Sequence, residues 1–96
     1  FRFTYDVDPE KHIRAAELLK GSAINNPGPE SLPNELIKLM KEVGVPSGIK
    51  DLGYEKKDIS EIVVGAMKQQ RLLSIAPKDV SENDLNQILI QSIENW

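Results

Sequence analysis

Residues 6–21 read DVDPEKHIRAAELLKG, and this stretch carries the signals of an α-helix at both ends. Asp8 is placed to act as an N-cap, Pro9 suits the first helical position, and Gly21 follows the last apolar residue. The apolar residues that recur at helical spacing are Ile13, Ala15, Ala16, Leu18 and Leu19. The stretch therefore predicts one amphipathic helix with an apolar stripe wide enough to bury.

A second helix is predicted after the Pro/Gly/Asn-rich loop NNPGPES, which cannot continue a helix. It runs over residues 32–43, with Ser31 as its cap, Pro33 in its first turn and Gly44 at its end. Its apolar residues fall on one face of a 3.6-residue period: Leu32, Leu36, Leu39, Met40 and Val43. We expect this face to be buried.

Two more helices follow the same pattern. Asp58 and Glu61 predict a D-x-x-E capping box for the third helix, and Gly65 within it suggests a close approach of another helix. Ser81 and Asp84 predict a capping box for the fourth helix. The apolar stripes are Ile59, Ile62, Val63, Ala66 and Met67 in the third helix, and Leu85, Ile88, Leu89, Ile93 and Trp96 in the fourth. Four amphipathic helices without a credible strand predict an all-α bundle.

The segment GVPSGIKDLGY, residues 44–54, connects the second and third helices and is unusually apolar for a linker. We expect it to lie against a surface and make specific contacts there. The sequence predicts that Val45, Ile49 and Leu52 are buried and close the end of the core between the two helices.

Composition limits the function further. The 96 residues suffice for one domain, and 12 basic residues are scattered among 15 acidic ones for a net charge of −3. This pattern provides no basic patch, so we expect neither nucleic acid nor a membrane as a partner. There is no cysteine, which excludes thiolate metal sites, and no apolar run approaches the ~20 residues of a membrane span.

Few residues suggest chemistry. His12 is the only histidine, and we favour a packing or surface role for it over a ligand or proton-transfer role. Gln69, Gln70 and Arg71 form the best polar cluster, at the end of the third helix, and Gln70 and Arg71 are the candidate interface residues. Arg71 there either complements the helix dipole or, together with Gln70, contacts another domain.

Three motifs in this order carry a family resemblance: DPEKHIRAAELLKG, then KEVGVPSGIKDLGYEKKDI, then QQRLLSIAPKDVSENDLNQIL. Together they resemble the C-terminal end of the iron-containing alcohol dehydrogenase family, and most of all its hydroxyacid-oxoacid transhydrogenase branch. The resemblance covers nearly the whole chain. Where some relatives have Cys-Thr and Asn-Pro-Arg before the last helix, this chain has Leu72-Leu73 and Ala76-Pro77-Lys78.

The resemblance implies a larger enzyme in which a Rossmann-like domain binds NAD(P) and a helical domain binds Fe or Zn. Residues 1–96 would be the C-terminal part of that helical domain, with residues 1–7 as an extended lead-in. The family's metal ligands are one Asp and three His, and no residue here matches that motif. We therefore expect no catalytic, cofactor-binding or metal-binding residue in this chain, and no activity or bound cofactor in the fragment alone.

The resemblance also implies partners and a location. The partner would be the remainder of the same enzyme, namely the Rossmann-like domain and the metal-bearing helices, and self-association is a further expectation. The location would be the cytoplasm, or the mitochondrial matrix in a eukaryote. The alternative is an independent helical interaction module. If the chain is a subdomain, six apolar residues outside the main stripes should be exposed: Leu18, Ile37, Leu72, Leu73, Ile75 and Ile90.

Overall fold

A computed structural model describes all 96 residues, and it confirms the all-α class with five α-helices and no strand. The α-helices are α1 Pro9–Lys20, α2 Ser31–Val43, α3 Ile59–Met67, α4 Gln70–Leu73 and α5 Glu82–Gln91. Short 3-10 helices cover Tyr5–Val7, Ile49–Leu52 and Lys56–Asp58. The sequence predicted the four longer α-helices and missed α4, whose single turn is too short to show a period.

The chain divides into two compact units, Phe1–Val45 and Pro46–Trp96. In the first unit α1 packs against α2, and Ala16 and Leu32 are buried where the two helices meet. The small Ala16 side chain has no exposed surface, which allows the helices to approach closely.

The caps of α1 match the prediction. The Asp8 carboxylate accepts a hydrogen bond from the Lys11 backbone N–H at 3.2 Å, and Gly21 ends the helix with φ +80°. The cap predicted for α2 was wrong, because Ser31 is already the first helical residue. Its Oγ instead accepts a hydrogen bond from the Gly28 backbone N–H at 2.9 Å, which stabilises the preceding turn.

In the second unit α3 packs against α5, and Ile59 and Val63 on α3 are buried. The capping box predicted for α5 is confirmed, since Ser81 and Asp84 exchange side-chain to backbone hydrogen bonds at 3.1 and 2.9 Å. The box predicted at Asp58 and Glu61 was wrong.

The box before α3 lies one turn earlier than predicted and joins Glu55 to Asp58. The Glu55 backbone N–H donates to the Asp58 carboxylate at 2.8 Å. Asp58 therefore uses its side chain on the preceding 3-10 turn, and it makes no side-chain cap bond to α3 itself.

Other expectations about packing also need correction. A Cβ on Gly65 would meet no atom within 4 Å, so no other helix approaches it closely. Residues 1–7 are not extended, because they form turns followed by the 3-10 helix Tyr5–Val7. Helix α5 ends at Gln91, so Ile93 and Trp96 lie beyond the helix whose stripe they were predicted to continue.

The apolar face of α2 is buried only at its N-terminal end. Leu32 is buried and Leu36 is half-buried, but Leu39 is 43% exposed and Val43 is 64% exposed. The expectation of a fully buried face was therefore wrong for the C-terminal half of the helix.

Candidate functional site

The apolar linker after α2 does lie against a specific surface, formed by residues 92–96 after α5. The backbone N–H groups of Ile49 and Lys50 donate to the carbonyls of Ser92 and Ile93 at 3.0 and 3.1 Å. In the opposite direction, the Asn95 backbone N–H donates to the Ser47 carbonyl at 3.2 Å. We call the contacts between residues 47–50 and residues 92–96 the clasp.

Ser47 is the most engaged residue of the clasp. Its hydroxyl donates to the Trp96 carbonyl at 2.7 Å and accepts from the Trp96 backbone N–H at 3.1 Å. The Asn95 side-chain amide donates to the Ser47 carbonyl at 2.6 Å. A solvated linker does not make such paired contacts, so the clasp fixes the position of the segment that follows α5.

Gly48 is required by this packing. A Cβ at this position would overlap the backbone carbonyl groups of Ser92 and Ile93. The backbone of Gly48 is extended, at φ −170°, so the requirement comes from the lack of space and not from its dihedral angles.

An exposed ion pair completes the clasp. The Lys50 ammonium donates to the Glu94 carboxylate at 3.0 Å. The hydrogen bond and the negative charge of Glu94 raise the pKa of Lys50 above its ordinary value.

The burial expected for the linker was wrong in two of three positions. Leu52 is 64% exposed and Val45 is 39% exposed, whereas Ile49 is half-buried. The segment is held by backbone hydrogen bonds to residues 92–96, so its apolar side chains are not what anchors it.

Gln70 and Arg71, the predicted interface residues, lie next to each other at the start of α4. The Gln70 side-chain amide donates to the Met67 carbonyl, which caps the end of α3. The Arg71 side chain is exposed, and its backbone carbonyl accepts from the Ser74 hydroxyl at 3.0 Å. The two residues therefore lie in α4 and not at the end of α3 as expected, and the Gln70 amide is directed back toward α3.

His12 packs among residues of the segment before α1. Its Nδ1 lies 2.8 Å from the Asp8 carbonyl oxygen, and its Nε2 lies 3.0 Å from the Thr4 hydroxyl. The rings of Phe1 and Tyr5 contact it edge-on, with centroid distances of 6.2 and 5.8 Å. The packing role favoured from the sequence agrees with this arrangement, because both ring nitrogens have partners inside the chain.

The chain does not supply a metal site. No group of three or more His, Cys, Asp or Glu side chains is placed to hold a metal ion. These residues therefore do not fit the Fe or Zn that the family resemblance implies, since such sites require three or four protein ligands. No helix has both the length and the apolar character needed to cross a membrane.

Each unit has an open groove on its surface. A groove of about 430 Å³ in the second unit is lined by Ser60, Val63, Val64, Glu82, Asn83 and Asn86. A groove of about 440 Å³ in the first unit lies beside Glu30, Glu35 and Lys38. The charged side chains there form ion pairs within the chain. The Lys38 ammonium lies 2.8 Å from the Glu35 carboxylate, and the Arg2 guanidinium lies 2.7 Å from the Glu30 carboxylate.

The apolar residues predicted to be exposed divide into two groups. Leu18, Leu72 and Ile75 are exposed, and Ile75 is the extreme case at 79%. The other three, Ile37, Leu73 and Ile90, are half-buried. Both units thus present large apolar side chains to solvent, including Leu18 in the first unit and Leu72 in the second.

Comparison with known proteins identifies the family. The family model described as "Fe-containing alcohol dehydrogenase family, C-terminal" matches residues 1–93. A probable mitochondrial hydroxyacid-oxoacid transhydrogenase of Dictyostelium discoideum is 34% identical over 97% of this chain and 18% of its own length. The mitochondrial hydroxyacid-oxoacid transhydrogenase of Bos taurus is 33% identical over 98% of this chain and 21% of its length. That of Rattus norvegicus is 35% identical with the same coverage.

These matches confirm the resemblance inferred from the three sequence motifs. The chain spans about a fifth of the length of the curated relatives it matches. No solved structure matches it at a significant level. The family match extends over both helical units, from the segment before α1 to the residues after α5. The chain belongs to the Fe-containing alcohol dehydrogenase family, whose C-terminal region it represents.

Proposed function

We propose that this chain is the C-terminal helical subdomain of a metal-dependent, NAD(P)-type alcohol or 2-hydroxyacid oxidoreductase. In this proposal it braces an active site whose metal and nucleotide ligands lie outside residues 1–96. The observation that carries the proposal is the family match over residues 1–93, in a chain that has no group of side chains able to hold a metal.

The substrate class comes from the relatives. The curated proteins matched in Dictyostelium discoideum, Bos taurus and Rattus norvegicus are named as hydroxyacid-oxoacid transhydrogenases. Since the chain spans about a fifth of their length, the activity belongs to the whole polypeptide. Fe or Zn and NAD(P) are the cofactors of that intact enzyme, bound by residues elsewhere. The same names support a mitochondrial matrix location if the source is a eukaryote.

Arg71 is the residue that we propose to contact the rest of the enzyme. Its exposed guanidinium carries five donors in a planar fork, which suits a carboxylate or backbone carbonyl on another domain. Gln70 supports this contact indirectly, because its amide fixes the turn between α3 and α4.

The experiment uses the protein encoded by the complete reading frame. We expect it to oxidise a hydroxyacid with concurrent reduction of an oxoacid, and we expect Arg71→Ala to lower kcat/KM while the matched control Lys68→Ala leaves it unchanged. Lys68 is an exposed cation three residues away, so it controls for loss of charge.

Two results would contradict the proposal. One is a complete reading frame without a nucleotide-binding domain and a His-rich helical region, which would favour an independent helical interaction module. The other is a full-length protein with bound metal that oxidises neither alcohols nor hydroxyacids. Equal activity of the Arg71→Ala and Lys68→Ala proteins would contradict only the proposed role of Arg71 and would leave the rest of the proposal intact.

A further inference from the structure

We propose that the Thr4 hydroxyl is a hydrogen-bond switch that keeps residues 1–7 closed over the start of α1 in both charge states of His12. We call residues 1–7 the strap. The proposal concerns the strap and the first turns of α1 alone, and it does not depend on the proposed function.

His12 anchors the strap from within the first unit. The Thr4 hydroxyl lies 3.0 Å from the His12 Nε2, and both side chains are half-buried. Two aromatic rings of the strap flank the imidazole, with centroids 5.8 and 6.2 Å from its own. The strap also carries Arg2, whose Nε donates to both carboxylate oxygens of Glu30 at 2.7 and 2.9 Å. That ion pair is exposed, and exposed ion pairs contribute little to stability.

The partners of His12 determine which ring nitrogen carries a hydrogen. Nδ1 lies 2.8 Å from the Asp8 carbonyl oxygen. Because a carbonyl oxygen only accepts, Nδ1 is a donor in either charge state of the ring. In the neutral imidazole the other nitrogen carries no hydrogen, so Nε2 accepts a hydrogen bond from the Thr4 hydroxyl.

Protonation of His12 reverses that second bond. When Nε2 takes up a proton from solvent, the ring has only donors, and Nε2–H donates to the Thr4 oxygen. The hydroxyl hydrogen of Thr4 is then free to turn to the Phe1 carbonyl oxygen, which lies 3.3 Å away. That carbonyl accepts from the Thr4 backbone N–H at 3.2 Å and has a second lone pair for the hydroxyl. Each charge state of His12 thus leaves both ring nitrogens with a partner.

The switch requires a hydroxyl at position 4, because a hydroxyl donates or accepts according to its rotation. Valine has nearly the same shape but can do neither. Its presence would leave Nε2 without a partner in both charge states, and an unpaired donor on a charged ring costs more than an unpaired acceptor on a neutral one. Loss of the hydroxyl should therefore open the strap preferentially in acid.

His12 is the group whose charge the pH changes in this range. Its hydrogen bonds and ring contacts come from the strap and from the first turn of α1. Imidazole is the side chain that ordinarily changes charge between pH 5 and pH 8. The other titratable or charged groups around the strap include no second histidine, and they are Arg2, Tyr5, Asp6, Asp8, Glu10, Lys11 and Glu30.

The test is hydrogen exchange, followed by mass spectrometry, of the protein encoded by the complete reading frame. The reporters are the backbone amides of Tyr5 and Val7, which donate to carbonyls within the strap. The exchange rate of each variant is divided by that of the unsubstituted protein at the same pH, so that the intrinsic pH dependence of exchange cancels. Peptides from α5 report whether the fold is intact.

We expect Thr4→Val to accelerate exchange of these amides at least about threefold more at about pH 5.5 than at about pH 7.5. The matched control Thr4→Ser keeps the hydroxyl and should behave like the unsubstituted protein at both pH values. Combining Thr4→Val with His12→Phe should abolish the difference between the two pH values, because no imidazole remains. Thr4→Ala is the second variant if valine disturbs the fold.

Equal acceleration by Thr4→Val at the two pH values would overturn the proposal. So would a strap that loses protection in acid in the unsubstituted protein, after correction for the intrinsic exchange rate, because the hydroxyl would then not serve the charged ring. The oxidoreductase assay is independent of both results. A full-length protein that shows the expected exchange pattern but no activity would refute the proposed function and support the switch.

Discussion

At the scale of single residues, two glycines have opposite roles that their sequence context does not reveal. Gly48 occupies a place where a Cβ would overlap two backbone carbonyls, whereas the space around Gly65 is open. Backbone atoms cannot move aside as the end of a side chain can, so the crowding at Gly48 has no inexpensive relief.

We therefore expect Gly48→Ala to destabilise the protein by about 1–3 kcal/mol or more, because its methyl group would separate residues 47–50 from residues 92–96. Gly65→Ala is the matched control. It should stabilise the protein by about 0.5–1 kcal/mol, since alanine restricts the unfolded chain and suits a helix interior. Urea unfolding measures both changes. Equal effects of the two substitutions would show that the close approach at Gly48 is not important for stability.

Burial at single positions gives a second prediction. Ile59 is 2% exposed and Leu52 is 64% exposed. Ile59→Ala should lower the free energy of unfolding by about 2–5 kcal/mol, because it leaves a cavity. Leu52→Ser should change it by about 0.5 kcal/mol or less, as an exposed position does. A large loss of stability in the Leu52→Ser chain would restore the original expectation that this linker is buried.

At the scale of elements, the helix ends are largely determined by local sequence. Ser81 and Asp84 cap α5 through a reciprocal pair of hydrogen bonds, and the Ser81 hydroxyl also donates to the Asp84 carboxylate at 2.8 Å. These bonds favour the ionised carboxylate, so they hold the pKa of Asp84 below its ordinary value.

This lowered pKa predicts how stability changes with acid. Because Asp84 has a lower pKa in the folded chain than in the unfolded one, its contribution is fully present above its ordinary pKa of 3.8. The contribution is lost as the pH falls through the lowered value. We expect the protein to lose stability as the pH falls from about 5 to about 2. Asp84→Asn should remove part of that loss, and the control Asp79→Asn should remove less. Thermal unfolding followed by circular dichroism across that range measures the difference.

The cap serine gives a prediction that is independent of pH. Ser81→Ala removes the acceptor for the Asp84 backbone N–H and should cost about 1 kcal/mol. A matched control is Ser60→Ala, an exposed serine inside α3, where alanine is the better helix former. A Ser81→Ala protein as stable as the Ser60→Ala protein would show that the box seen at α5 has no energetic value.

These elements also show what a sequence can predict. Asp8, Gly21 and Gly44 were placed correctly because a cap involves residues within one or two turns of each other. The box before α3 was misplaced because Glu55, Asp58 and Glu61 are acids at successive spacings of three, and each adjacent pair fits the pattern. The clasp was missed because its partners are 43 to 49 residues apart, and no local period records such a pairing.

The candidate site residues and the linker were also predicted only in part from the sequence. Gln70 and Arg71 were expected at the end of the third helix, but α3 ends at Met67 and both residues lie in the unpredicted α4, whose turn positions the Gln70 amide against the Met67 carbonyl. The burial expected at Leu52 and Val45 assumed a surface within the chain to cover them. Apolar character shows that a residue favours burial, and it does not specify which polypeptide segment buries it.

At the scale of the whole molecule, the lack of a ligand cluster predicts a chain that does not retain metal. Both ring nitrogens of His12 have partners within the chain, at Asp8 and Thr4, and no group of acidic or histidine side chains converges elsewhere. After dialysis we expect well under one Zn or Fe per 96-residue chain by elemental analysis, with His12→Ala unchanged. Stoichiometric metal that disappears in His12→Ala would contradict this prediction.

The clasp has a kinetic consequence for the second unit. Its hydrogen bonds connect Ser47 to residues 48 and 49 positions further along the chain, so forming it early would require closing a long loop. We expect the helices between these ends to form their local contacts first and the clasp to form afterwards, on the native side of the folding barrier. Ser47→Ala should consequently leave the refolding rate nearly unchanged and accelerate unfolding. In stopped-flow measurements of the rate constants against denaturant concentration, only the unfolding arm of the chevron plot should shift. A lower refolding rate of the Ser47→Ala protein would instead place the clasp in the folding nucleus.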